Sequence, residues 1–134
     1  VKTKDVRQSV LVKAPAPVVY RALVRSRDHA RLVGAPAKIG AKVGSPFSVW
    51  DGAVSGITLH LVENRRIVQA WRGVGWPAGH YSIADFTLRP AGRGATRLTF
   101  GQYGVPAARY PGIARGWKTY YWDRMKEILA GGGR

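Results

Sequence analysis

The side chains best suited to acid, base or metal chemistry are few in this sequence: three histidines, seven carboxylates and no cysteine in 134 residues. His29, His60 and His80 sit on different segments, without the H-E-x-x-H spacing or nearby carboxylates of a zinc site, so no metal is expected. His80 and Asp85 could pass for a base and its orienter, but five residues of strand would put them on opposite faces, roughly 17 Å apart. Asp5, Asp28, Glu63, Asp123 and Glu127 read as exposed, which leaves no carboxylate pair for glycosidase-type work. Without cysteine there is neither a disulfide framework nor thiolate chemistry. Gly73-Val74-Gly75 lacks the third glycine and the helix start of a dinucleotide site, and Gly40-Ala41-Lys42 is no P-loop, so no cofactor is expected. These residues nominate no catalytic group.

What the sequence has instead is large aromatic side chains in register. Ile113, Trp117, Tyr121, Met125 and Ile128 recur in steps of four, four, four and three, which places them on one stripe of a helix from Gly112 to Leu129. Arg115, Lys118, Lys126 and Glu127 fall off the stripe, toward solvent. Each Trp or Tyr removes roughly 150–250 Å² from water when buried, so the stripe needs a broad apolar surface to lie on.

The remaining elements supply that surface. Val6 to Lys13 alternates as a strand, with Val6, Gln8, Val10 and Val12 on one face. Pro17 suits the first turn of a short helix over Val18 to Val24. Ser26 is a candidate N-cap for a second, from about Arg27 to Leu32. Strands and turns follow. Ser45 to Trp50 leads into Asp51-Gly52, a hairpin signal, and Val54 to Val62 returns with Ile57, Leu59 and Leu61 sharing a face. Ile67 to Arg72, Tyr81 to Arg89 and Thr96 to Tyr103 complete a meander, with Phe86 and Leu88 on one face and Leu98 and Phe100 on another. An antiparallel sheet with one polar face buries the other against the last long apolar stripe available. Sheet and terminal helix must pack together, and the length suits one domain over residues 1–134.

Twenty-two Lys and Arg against seven Asp and Glu give a net charge of +15. Residues 1–31 carry net +6 and residues 32–64 net zero, with no block of five or six like charges. Nucleic acid is therefore expected to bind only non-specifically, through charge at low salt. Trp50, Trp71, Trp117 and Phe100 fall on core faces rather than on a stacking platform, whereas Trp76 and Tyr103 stand beside turns where they could line an opening. No run of about 18 apolar residues offers a membrane span, and no signal-peptide pattern opens the chain, so a cytoplasmic location is expected.

The run Asp51-Gly52-Ala53-Val54-Ser55-Gly56, the strand Ile67-Val68-Gln69-Ala70-Trp71-Arg72, the turn Trp76-Pro77-Ala78-Gly79-His80 and the helix segment Gly116-Trp117-Lys118-Thr119-Tyr120-Tyr121-Trp122 together resemble the C-terminal domain of activators of heat shock protein 90 ATPase, a member of the START/SRPBCC helix-grip superfamily. The resemblance covers nearly the whole chain. It implies an α+β helix-grip fold: a curved antiparallel sheet of about six strands wrapped on a long C-terminal helix, two short helices after the first strand, and a cavity between sheet and helix. In that setting Leu59, Leu61, Trp71, Trp76, Phe86, Phe100, Trp117 and Tyr121 are the candidate cavity residues. A non-catalytic protein binding a small apolar or amphipathic ligand is the leading expectation, and a filled aromatic core is the competing arrangement. A co-chaperone that stimulates a chaperone ATPase is the alternative. A polyketide cyclase-like enzyme is the third, for which His60, Gln69 and Tyr81 are the polar candidates.

Overall fold

Alternation carries the first strand directly into structure: β1 (Thr3–Val12) buries Val6, Val10 and Val12 and leaves Arg7 and Leu11 outside. The computed structural model describes residues 1–130; residues 131–134, the end of the expected 1–134 unit, lie outside the described residues. After β1 come α1 (Ala16–Val24), α2 (Ser26–Val33), β2 (Ala37–Ile39), β3 (Pro46–Val49), β4 (Val54–Val62), β5 (Arg66–Gly73), β6 (Ser82–Pro90) and β7 (Thr96–Pro106). The strands form one antiparallel sheet in the order β1-β7-β6-β5-β4-β3-β2. All six strands read from the sequence are present. The seventh, β2, has only three residues, too few for a period to show. It is pinned at the sheet edge by Ser26, whose Oγ receives the Ile39 N–H at 2.8 Å and donates to the Ile39 carbonyl at 3.0 Å. Ser26 is thus not the N-cap of α2; it is the helix's first residue, and Arg25 precedes it without a side-chain cap.

β4 departs from its expected face. Val54, Gly56 and Thr58 point into the core, while Ile57 and Leu59 are exposed. The physical reason is Gly56: β3 places Phe47 opposite it, and a Cβ on Gly56 would lie 2.6 Å from the Phe47 ring and 1.8 Å from the Ala70 carbonyl oxygen. The ring occupies the space a side chain would need, so the inward position reads as non-apolar in the sequence. A register slip between Thr58 and His60 then turns Leu61 partly back toward the core. Gly56→Ala is expected to cost at least about 1–3 kcal/mol through this overpacking. Urea unfolding checks it, with Gly112→Ala as a control, since nothing lies within 4 Å of a Cβ built there.

The terminal helix runs as α3 (Tyr110–Trp117), a π turn (Lys118–Trp122) and α4 (Asp123–Ile128). At about 3.6 residues per turn, each step of four drifts by roughly 40°, so three such steps would carry Met125 well away from Ile113. The wider π turn takes up that drift. Trp117, Tyr121, Trp122 and Met125 are all buried, and Lys118 and Lys126 face solvent.

Underneath, Trp117 meets Phe100 at 4.3 Å and Phe86 at 5.6 Å between ring centroids, and stacks on Trp122 at 5.6 Å. Two glutamines on the sheet take up the indole N–H groups. Trp117 Nε1 donates to Gln102 Oε1 at 2.7 Å, and Trp122 Nε1 to Gln8 Oε1 at 2.6 Å. Gln102 Nε2 donates to the Ser82 hydroxyl, and Gln8 donates to the Ala114 carbonyl, so both amides are satisfied at each end. Across the bundle, Arg124 donates to the Leu32 and Arg31 carbonyls at the C-terminus of α2, where Gly34 takes the left-handed conformation that ends the helix.

Candidate functional site

An aromatic-walled opening lies beside the terminal helix rather than beneath it. Gly112 and Gly116, one turn apart on α3, leave a strip of helix without side chains, and Ile113 and Tyr120 border it. Trp117 and Tyr121 form the inner wall. Trp71 comes up from β5, Val54 from the start of β4, and Trp50 from the β3–β4 connection. The resulting groove has a volume of about 370 Å³, within the usual range for small-molecule sites.

Trp50 is the wall residue that alternation along β3 does not reveal. It has φ +54°, and Asp51 beside it has φ +52°, a left-handed pair before Gly52. A bulky residue in that region is strained, and hydrogen bonds hold it there: its N–H donates to the Pro36 carbonyl at 2.9 Å, and its carbonyl accepts from Ala53 at 3.1 Å. The strained turn swings the indole over the groove, edge-on to Tyr120 at 5.8 Å and Tyr121 at 6.1 Å. The sequence signal was present but indirect: a Trp immediately before a strong Asp-Gly turn.

Behind this wall is a second, much smaller space of about 10 Å³, room for about one water, bordered by His29, Gln69, Phe86 and Tyr121 among others. Trp71, Trp117 and Tyr121 line both spaces and separate them. Here the helix pair contributes a buried polar contact that sequence reasoning missed: His29 Nε2 lies 2.7 Å from the Tyr121 hydroxyl. Burial drives the His29 pKa down to about 4, outweighing the Leu23 and Ala22 carbonyls that favour the charged ring. Those carbonyls lie outside hydrogen-bonding geometry with Nδ1, which has no partner among the described residues. Burial raises the Tyr121 phenol, so it stays protonated and shares one hydrogen bond with the neutral ring, its direction set by the His29 tautomer. No periodicity flags His29, because α2 is mostly polar and only eight residues long.

Of the eight sequence candidates, Trp71, Trp117 and Tyr121 meet at the groove. Trp76 is buried behind Trp71, 5.5 Å away between centroids, instead of standing at an opening. Phe86 and Phe100 belong to the packed layer under Trp117. Leu59 must be corrected outright: it is on the outer face of the sheet, and Leu61 is only packed at the margin of the core. Among the polar candidates, Gln69 faces inward, while His60 and Tyr81 are exposed. Tyr103 stands on the outer face with Arg7 over its ring at 5.7 Å. Among the described residues no group of three His, Cys, Asp or Glu could hold a metal ion, and no helix is long and apolar enough to cross a membrane.

A seven-stranded antiparallel sheet closed on a long, aromatic C-terminal helix, with two short helices after the first strand, defines a protein of the helix-grip class. The chain belongs to the family described as Activator of Hsp90 ATPase homolog 1-like protein, whose model matches residues 13–130. It is 32% identical over 116 residues to the human Activator of 90 kDa heat shock protein ATPase homolog 1, covering 87% of this chain and 34% of that protein. An uncharacterised protein of Schizosaccharomyces pombe is 31% identical over 132 residues, covering 98% of this chain and 39% of its own length. The chain thus spans roughly a third of these curated relatives. In fold it is similar to an HSP90 activator from Plasmodium falciparum, with a TM-score of 0.83 at 21% identity over 95% of this chain and 96% of the other.

Proposed function

We propose that the chain binds a flat apolar or amphipathic small molecule in the groove between Trp50, Trp71, Trp117 and Tyr120. The observation that carries this reading is the pairing of aromatic walls with a bare helix strip at Gly112 and Gly116, which lets a planar ligand lie against backbone. Strain at Trp50 adds to it, since such strain persists only where surrounding structure enforces it. Thermal melts and tryptophan fluorescence with naphthalene, anilinonaphthalene sulfonate and long-chain fatty acids test the idea. A ligand at 100 times its Kd should add about 2.7 kcal/mol of stability. Gly116→Leu should abolish that gain by filling the groove. It should cost no stability of its own, because a Cβ there meets only Tyr120, at 3.8 Å, and leucine is favoured over glycine in a helix by roughly 0.8–1 kcal/mol. No response to any of the probes, or an undiminished response in Gly116→Leu, would count against the groove as a binding site.

Family membership favours a second reading, in which the chain serves as a co-chaperone module on a chaperone ATPase, as its relatives among the activators of heat shock protein 90 ATPase suggest. Its basic surface would speed encounter with an acidic chaperone. Unchanged ATP turnover by a cognate chaperone at saturating protein would sink this reading.

A further inference from the structure

The solvent face of the sheet carries a pattern that neither the groove nor the core explains. Residues in register across four strands put Ile57, Ala70, Ile83 and Tyr103 in one row. Ile57 is 42%, Ile83 38% and Tyr103 39% exposed. Leu59, Val62, Tyr81 and Leu11 lie on the same face. In all, seven of the eleven large apolar side chains exposed among the described residues are gathered there. Single exposed apolar residues are ordinary on a surface; a contiguous row is not.

Arginine surrounds the row. Arg72 lies over the Tyr81 ring at 5.8 Å, Arg7 over Tyr103 at 5.7 Å, and Arg89 pairs in register with Arg97 at the far end of β6 and β7. The two acids on this face are already engaged: Asp85 takes a two-pronged bond from Arg66, and Asp5 accepts the Gly104 N–H with Arg7 4.0 Å away. What remains is an apolar, tyrosine-bearing centre with a rim in net cationic excess, Arg7, Arg66, Arg72, Arg89 and Arg97 against the two acids, in which Arg72 also donates to the Trp76 and Pro77 carbonyls.

We propose that this outer face is a docking surface for an acidic, amphipathic protein segment, distinct from the groove on the other side of the sheet. Tyr and Arg around an apolar centre are the residue types that anchor protein interfaces. Charge excludes a second copy as the occupant, because two chains of net +15 would set arginine against arginine. A nucleic-acid backbone would satisfy the arginines but gain nothing from Ile57 and Ile83. At about 4.8 Å between strands and about 6.8 Å between successive outward residues, five strands and five rows cover on the order of 800 Å², comparable to the roughly 800 Å² per partner of a standard-size complex. With arginine at its rim, the contact is salt-dependent. Its long dimension, on the order of 27 Å, matches a helix of about 18 residues.

The test is an amide-shift titration of the ¹⁵N-labelled chain with a 20-residue amphipathic helix, leucine and phenylalanine on one side and glutamate on the other. Saturable shifts centred on Ile83 and Tyr103, absent at Gly112 and Gly116, are expected, with at least tenfold weakening by Ile83→Asp and several-fold weakening by Arg72→Glu. Both side chains are at least partly open to solvent, and a melt of each variant checks its fold; Tyr103→Ser takes the place of any variant that melts early. Equal binding by an all-glutamate peptide or a 20-nucleotide single strand would reduce the face to a charge effect and overturn the proposal. So would shifts centred on the groove, or variants that bind like the parent.

Discussion

Replacing Trp117 by alanine is expected to lower the free energy of unfolding by about 3–5 kcal/mol, the usual range for deleting a buried aromatic. Trp117 is 3% exposed and contacts Trp71, Phe86, Phe100, Tyr121 and Trp122. The cavity left behind would be hard to close, because its neighbours are rings fixed from both sheet and helix. Gln102 would also lose the donor at its Oε1 while remaining fully buried. Trp117→Phe separates the two effects: it keeps most of the ring packing and removes the N–H, so its cost should fall to about 1–3 kcal/mol. Denaturant midpoints for the three proteins give both values. A loss under about 1 kcal/mol for alanine would make Trp117 a groove wall with little share in the core.

Both roles meet in this one residue because the helix is not uniform. Of the expected stripe of Ile113, Trp117, Tyr121, Met125 and Ile128, the middle three are buried and Ile113 packs against the core, while at the last step Leu129 packs there in place of Ile128. Trp122 is invisible to that spacing, since burying adjacent residues 121 and 122 needs the π turn, and no local composition announces one. The strands were legible wherever inward positions carry side chains, as in β1, β5, β6 and β7. β4 was not, because its inward residues are Val54, Gly56 and Thr58, and the apolar Ile57 and Leu59 point out. That misreading and the exposed row on the outer face have one origin: apolar residues placed where no core receives them. Site residues drawn from one element could be found by period. Those defined by long-range meeting, Trp50 against Tyr120 and His29 against Tyr121, could not.

Acid should destabilise the protein before most of its carboxylates titrate, and His29 sets the window. Its folded pKa, about 4, is below the ordinary value of 6.5, chiefly because burial penalises the charged ring. The unfolded chain therefore binds a proton that the native state refuses. Stability is full above about pH 6.5 and is lost as pH falls toward 4, by roughly 3 kcal/mol in total. The ion pairs of Asp5, Asp85 and Asp123 lie at exposed or partly exposed sites and add little stability of their own. His29→Gln should cost about 1–2 kcal/mol at pH 7 through the weakened Tyr121 contact, yet flatten the profile between pH 6.5 and 4.5. Urea unfolding of both proteins at half-unit intervals checks this, and parallel profiles would remove His29 as the cause. Tyr121 adds a separable consequence, because it bonds to His29 and also walls the groove. In the native protein the ring stays neutral down to about pH 4, so the affinity of any groove ligand should hold constant over the pH range in which stability is being lost. It should change only when the native His29 itself takes up a proton, which places a charge behind the groove wall and leaves Nε2 able only to donate to the Tyr121 oxygen.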